Sequence, residues 1–366
     1  MNEYYSLDRI DKTGANWRLI IGERSNGKTY QCKKRGIDNF FLYNKQFAYI
    51  RRNVEEIKEK RINTLFADMG DIIDNWTTRQ GGKYGVYDRF TVEAKGGKFF
   101  LVGIKDAYEN DKGKYIAESH ERTDVIGYYF ALKQSHYDKG SSFPNVTTII
   151  YDEFLTNGNE LPNEFSILLN LISTIKRKRS DVIVYLLGNT VSRNSNNLAE
   201  MKIDARQLKQ GDIKSFVYYG ENGNKNTVAV EYCRHYEQTQ ESESYFIFGT
   251  QREKMITRGE WETDDYPLYT EVKNINNALI MDFPPVRLYL YFAEDTLYVS
   301  SKREVQRISY ITLSGEKTKL KQRCLSISSP YADNLKNLIL FYYQNGYCLY
   351  DDNLTGEDFR KLLTFF

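Results

Sequence analysis

The chain has 366 residues, 41% of them hydrophobic and 27% charged, which suits two domains and excludes collagenous, coiled-coil and disordered architectures. Its 51 basic residues against 49 acidic ones give a net charge of +2, so any basic surface must be local. Mean hydropathy is −0.60. No run approaches the ~18 apolar residues of a membrane span, and residues 1–12 lack the apolar stretch of a secretory signal. The four cysteines (Cys32, Cys233, Cys324, Cys348) show no C-x-x-C spacing, which points to reduced thiols in a cytosolic protein. With three histidines (His120, His136, His235) and no H-E-x-x-H, a histidine-based metal site or triad is not expected.

Residues 17–21 (WRLII) read as a strand that runs into GERSNGKT, followed by a helix over 30–41. Residues 47–50 (FAYI) form a second strand, ending in Arg51-Arg52. Residues 91–104 read as a hairpin turning on Gly96-Gly97, and 124–136 as a helix capped by Thr123 or Asp124. A strand over 146–151 ends in Asp152-Glu153. Pro162 then opens a helix whose apolar residues Phe165, Leu168, Leu169, Ile172 and Ile175 share one face, with Lys176 to Arg179 closing it. Residues 182–187 form a strand buried on both faces, stopping at Gly188-Asn189. A hairpin follows over 216–219 and 227–232. The polar run 237–244 (EQTQESES) marks a boundary. Beyond it lie strands over 287–292 and 296–299 and a helix over 332–343.

Gly22, Gly27, Lys28 and Thr29 match G-x-x-x-x-G-K-[ST] in full, between a strand and a helix. In this context the glycines let backbone N–H groups of the loop (Arg24, Ser25 and Asn26 included) wrap phosphates, and the helix N-terminus adds unpaired donors. Lys28 would reach the β- and γ-phosphates of ATP, and Thr29 would ligate Mg²⁺. Asp152 would hold the same metal, and Glu153 would orient and polarise an attacking water. Asn189 could sense the γ-phosphate or hold that water. Hydrolysis also needs a cation on the developing charge; Arg177 or Arg179 could supply it to a neighbouring subunit, with Arg24 a second candidate. Residues 33–61 hold nine basic side chains against four acidic ones, among them Lys33, Lys34, Arg35, Lys58, Lys60 and Arg61. Such a stretch could grip a nucleic-acid backbone without reading sequence.

The segments WRLIIGERSNGKT (17–29), FAYIRRN (47–53), VTTIIYDEF (146–154) and VIVYLLGNT (182–190) together resemble the DNA-packaging ATPases of tailed bacteriophages, most of all the small terminase-type motors of short-tailed phages. An arginine inside the phosphate loop (Arg24) and a strand ending in basic residues (Arg51-Arg52) add to the likeness. The resemblance covers residues 15–235 and is much weaker beyond. It implies an α/β, ASCE-type P-loop domain with a mainly parallel sheet over 1–235, in which the Walker B strand lies beside the P-loop strand. A linker or lid over 236–275 and a smaller α+β domain over 276–366, vestigially RNase H-like, complete the expected organisation.

The resemblance further implies ATP and Mg²⁺ as cofactors, non-sequence-specific contact with double-stranded DNA, and a homo-oligomeric ring, usually a pentamer, at the capsid portal or connector. It leaves open a packaging RNA as a further partner. No membrane is implied, and the place of action is the host bacterial cytoplasm, transiently at the procapsid vertex. Two alternatives stand beside this one. The first is a full terminase large subunit with an active C-terminal metal-dependent nuclease, for which Asp282, Glu294-Asp295 and Asp351-Asp352 are candidate acids. The second is an unrelated P-loop ATPase that does not act on DNA.

Overall fold

A computed structural model describes residues 4–111, 114–138, 140–156, 160–192, 195–205, 208–220, 223–235, 251–261, 263–284, 286–315 and 324–366. The chain forms two compact units: Met1–Asn197 with Arg206–Gly249 and Glu253–Glu260, and Leu198–Ala205 with Thr250–Arg252 and Trp261–Phe366. The polar run at 237–244 lies outside the described residues.

In the first unit the strands are β1 (Trp17–Gly22), β2 (Gln46–Arg51), β3 (Arg89–Lys95), β4 (Lys98–Lys105), β5 (Tyr108–Glu109), β6 (Tyr115–Ile116), β7 (Ser119–Ala131), β8 (Val146–Asp152), β9 (Ile183–Asn189), β10 (Ile213–Tyr219) and β11 (Lys225–Tyr232). Nine of them build one sheet in the order β10-β11-β1-β9-β8-β2-β7-β4-β3, while β5 and β6 pair separately. The six from β11 to β7 are mutually parallel, and the antiparallel strands lie at the two edges. The expected mainly parallel α/β sheet is therefore present. The Walker B strand, however, is not beside the P-loop strand: β9 is inserted between β1 and β8. The two loops still meet because β9 ends in Gly188-Asn189, and a Cβ at Gly188 would lie 2.8 Å from the Leu155 side chain that packs there.

The helix Lys28–Tyr43 follows the phosphate loop as expected, burying Cys32, Gly36, Ile37, Phe40 and Phe41. Gly36 on this helix and Gly127 on β7 make room for Phe47: a Cβ at either would come within 3 Å of its ring. Phe47 is fully buried and stacks on Phe99. The hairpin of β3 and β4 turns at Gly96 and Gly97, with φ of +57° and +79°.

The helix expected over 124–136 is instead the end of β7, followed by a 3-10 turn over Leu132–Asp138. Residues 125–130 are Val, Ile, Gly and three aromatics, which fit a pleated surface. They pair with β2 on one side and β4 on the other, and this tertiary pairing overrides the helical spacing. The helix after Pro162 begins at Glu164, and Leu171 rather than the exposed Leu169 completes its buried face.

The second unit holds β12 (Asn277–Phe283), β13 (Val286–Phe292), β14 (Leu297–Ser300), β15 (Tyr310–Ser314), β16 (Cys324–Ser326) and β17 (Cys348–Tyr350), with helices Asp333–Gln344 and Asn353–Leu363. The sheet order is β16-β15-β12-β13-β14-β17. Strands β12, β13 and β14 form an antiparallel meander, and β15 and β16 join β12 in parallel. Strand β17 extends this sheet in parallel beside β14.

Candidate nucleotide site

The carboxyl ends of β1, β9, β8 and β2 come to one edge of the sheet, where ligands bind in open α/β folds. Gly22 is in register with Asn189, Leu187 with Asp152, and Tyr151 with Ile50. A cavity of about 750 Å³ opens there, lined by residues 24–31 of the loop and helix start together with Asp152, Glu153 and Asn189. Ser25 and Gly27 take φ of +59° and +95°, which bends the loop around the cavity. The loop is pinned from outside by Tyr5, whose N–H donates to the Asn26 carbonyl at 3.0 Å.

Lys28 is buried, and burial lowers its pKa against the opposing pull of nearby Cys233, Asp152 and Glu23. Its ammonium donates to the carbonyls of Gly22 and Glu23, to Asn26 Oδ1 at 3.1 Å and to Asn189 Oδ1 at 3.4 Å. All four acceptors are neutral oxygens, so the site offers a desolvated cation to an incoming anion. The Thr29 hydroxyl lies 3.3 Å from each oxygen of Asp152. This hydroxyl-carboxylate pair is the hard-oxygen donor set that suits Mg²⁺.

Glu153 is half exposed and sits at φ +58°, a left-handed conformation costly for a residue with a side chain. Arg24 and Ser25 line the solvent side of the cavity. Sequence reasoning missed several groups. Tyr49 donates to Asp152 Oδ2 at 2.8 Å. Arg51 holds Glu153 Oε2 at 2.6 Å and stands 3.6 Å from Asp152 Oδ2. Burial would lower the Arg51 pKa, but Tyr49, Asp152, Glu153 and Glu56 together raise it. In the loop, the buried Glu23 carboxylate meets His235 Nδ1 at 2.8 Å. The one signal for Arg51 was its position at the end of a strand, and nothing local marked Tyr49 or Glu23.

The other expected site residues are spread wider. Arg177 and Arg179 lie at the opposite end of the sheet, beside Val146 at the start of β8. Arg177 donates to the Ser141 carbonyl at 2.7 Å, and Arg179 to those of Val146, Ile175 and Phe143 at 2.6, 3.0 and 3.2 Å. Neither can reach its own phosphate loop. Three of the basic residues expected to hold DNA are engaged within the chain. Lys33 is buried, bonded to the Leu65 carbonyl and Asp68, each at 2.6 Å; Lys34 pairs with Asp38, and Arg35 with Asp11. They lie on the P-loop helix, where packing against neighbouring segments claims their charges. Lys58, Lys60 and Arg61 remain exposed.

The expected adjacency of the Walker B and P-loop strands is not met, but the parallel order β1-β9-β8 and the meeting of Lys28, Thr29 and Asp152 at its carboxyl end give the expected α/β fold of a P-loop NTPase. The model of the family described as Podovirus DNA encapsidation protein (Gp16) matches residues 71–200. The DNA packaging proteins of Bacillus phages PZA and phi29 are each 29% identical over 190 residues, which is 51% of this chain and 45% of the relative. The chain thus spans about half the length of the curated relatives it matches. Among solved structures, the viral genome packaging motor assembly of bacteriophage phi29 aligns with 99% of each chain at a TM-score of 0.56 and 18% identity. The likeness to phage DNA-packaging ATPases read from the motifs is borne out by these findings.

Proposed function

We propose that the chain is an ATP-driven motor that moves double-stranded viral DNA into a preformed capsid. The observation that carries this reading is the meeting of the Thr29 hydroxyl and the Asp152 carboxylate, 3.3 Å apart, across the end of β9 at the mouth of the cavity that Lys28 floors. Lys28 exchanges its neutral oxygens for phosphate oxygens, and the loop N–H groups add further donors. Thr29 and Asp152 would hold Mg²⁺, which would neutralise charge on the phosphates. Glu153 orients water and takes its proton once the carboxylate leaves Arg51. Asn189, whose Oδ1 now accepts from Lys28, is free when Lys28 moves onto phosphate to donate from Nδ2 to the γ-phosphate or to accept from that water at Oδ1.

The reading extends to a homo-oligomeric ring, a pentamer by family likeness, seated at the capsid portal in the host cytoplasm, with a packaging RNA as a further candidate partner. Of the two edge arginines, Arg177 is the better placed to act on a neighbour's site, because it is exposed while Arg179 is occupied by three carbonyls. Lys58, Lys60 and Arg61 are the proposed backbone grip. No helix among the described residues is long and apolar enough to cross a membrane.

For the C-terminal unit we propose docking without cutting. Asp282, at the end of β12, is ion-paired with Arg287 at 2.6 Å, and the residue in register with it on β15 is Ser314. A two-metal nuclease needs several free carboxylates at that edge. The test is ATP turnover by the purified chain with and without duplex DNA, followed by a search for metal-dependent cleavage. Turnover that ignores duplex DNA would refute the motor, and cleavage lost in Asp282→Ala would restore the full-terminase alternative.

A further inference from the structure

Two consecutive arginines at the end of β2 act on one turn. Arg51 reaches the Glu153 side chain, while Arg52 reaches the turn's backbone: its guanidinium donates to the Glu153 carbonyl at 3.1 Å and to the Phe154 carbonyl at 2.8 Å. Arg52 is 4% exposed and is fixed in turn by Glu164, with Nε to Oε2 at 2.7 Å and Nη2 to Oε1 at 3.1 Å. Glu164 also accepts from the Tyr151 hydroxyl, the Asn197 amide and the Leu161 N–H at 2.7, 2.8 and 2.9 Å.

We infer that Arg52 is a positioning residue for hydrolysis, locking the backbone of Glu153 in the left-handed turn that aims its carboxylate. The inference rests on the ATPase reading above. Left-handed φ at a glutamate persists only where its surroundings over-determine it. Here the Glu153 N–H is held by Asp152 Oδ1 at 3.0 Å and the Phe154 N–H by the Leu187 carbonyl at 3.0 Å; Arg52 supplies both bonds to the turn's carbonyls. A buried ion pair is a poor source of net stability, because desolvation offsets the attraction. Apolar residues of similar volume would hold the fold as well, but they could not fix two carbonyls with one planar group. Arginine's fork is suited to this, and lysine's single ammonium is not. A small shift of the turn would displace the carboxylate from the water it must orient, and misplacement of about 1 Å costs on the order of 10²-fold in rate.

The test compares the unaltered chain with Arg52→Lys, which keeps the charge opposite Glu164, and with Arg52→Met/Glu164→Gln, which removes both charges together. Either folded variant suffices. Binding of a fluorescent non-hydrolysable ATP analogue, KM and kcat are measured in each. The expected result is analogue affinity and KM within about three-fold of wild type, with kcat down by on the order of 10²-fold. A folded variant with kcat within three-fold of wild type, or one that loses analogue binding and kcat together, overturns the positioning role. A wild-type chain with no ATP turnover would instead count against the ATPase reading itself.

Discussion

Arg51 Nη2 stands 2.6 Å from Glu153 Oε2, tying the acid that would handle water to the neighbouring strand β2. The same guanidinium lies 3.6 Å from Asp152, so one cation faces both carboxylates of the β8 terminus. A carboxylate so paired must leave its partner before it can accept a proton from water. The arrangement describes a restrained site.

Arg51→Met should therefore raise turnover measured without DNA and reduce the ratio by which DNA stimulates it. Because Glu153 is half exposed, the pair contributes no more than about 1 kcal/mol, or roughly five-fold in rate. Steady-state ATPase assays with and without duplex check this. A fall in both rates would mean that Arg51 assists the chemistry rather than restraining it.

Glu153→Gln should bind nucleotide and stall hydrolysis by roughly 10²–10⁴-fold, since the amide keeps the shape but cannot take the proton. Lys28→Ala should lose at least about 10²-fold in turnover by removing the main cation on the phosphates. Its thermal midpoint should stay near wild type or rise, because burial already disfavours the charged amine. Nucleotide titration alongside turnover separates the two variants: only Lys28→Ala should weaken binding.

Gly127→Ala should destabilise the first unit by about 1–3 kcal/mol, the usual range for overpacking a well-filled core. The added methyl would lie 2.7 Å from Phe47 Cζ, and that ring is already enclosed by Gly36, Phe66 and Phe99. Denaturant unfolding measures the change. An unaltered midpoint would show that Phe47 has room to move.

The phosphate loop, the Asp152-Glu153 pair and Asn189 were legible because each is a local pattern at the end of an apolar strand. The partners of Glu153 were not. Arg51 and Glu153 are 102 residues apart, and Arg52 and Glu164 are 112 apart, so their pairing depends on β2 lying beside β8. Strand order is a tertiary property, and the same limit hid the insertion of β9 between β1 and β8. Residues 125–130 were misread for a related reason: Val125, Ile126, Tyr129 and Phe130 satisfy helical spacing, and only pairing with β2 and β4 makes them a strand. Charge counting over 33–61 could not separate Lys33, buried against Asp68, from the exposed Lys58.

Acid should act through Glu164. Burial alone would raise its pKa, but Arg52, the Leu161 N–H and Tyr151 outweigh that and hold it below the ordinary 4.5. A carboxyl depressed in the folded state contributes stability that is present above the unfolded value and is lost as pH falls through the folded one. Wild-type stability should thus drop below pH 4.5, and Glu164→Gln should show a shallower acid limb from a lower starting point. Thermal melts across that range test it, and parallel limbs would assign the acid sensitivity to other carboxylates.

Arg177 is exposed, ends its helix at φ +51° and donates to the Ser141 carbonyl, at the sheet end away from its own phosphate loop. If it completes a neighbour's site in a ring, Arg177→Ala should keep nucleotide binding and lose turnover, by up to the roughly 10³–10⁵-fold that an arginine finger supplies. The fold should tolerate the change, since the side chain bonds only exposed loop carbonyls. Mixing Arg177→Ala with Lys28→Ala would then create some interfaces with an intact loop on one side and an intact arginine on the other. Activity should partly return in the mixture, well above either variant alone, because each defect spoils a different half of the shared site. Arg179→Ala, whose side chain is occupied by three carbonyls of its own subunit, should instead lose thermal stability and gain nothing from mixing. Full activity of Arg177→Ala alone would remove it from the mechanism and leave Arg24, on the solvent side of the phosphate loop, as the cation to test next.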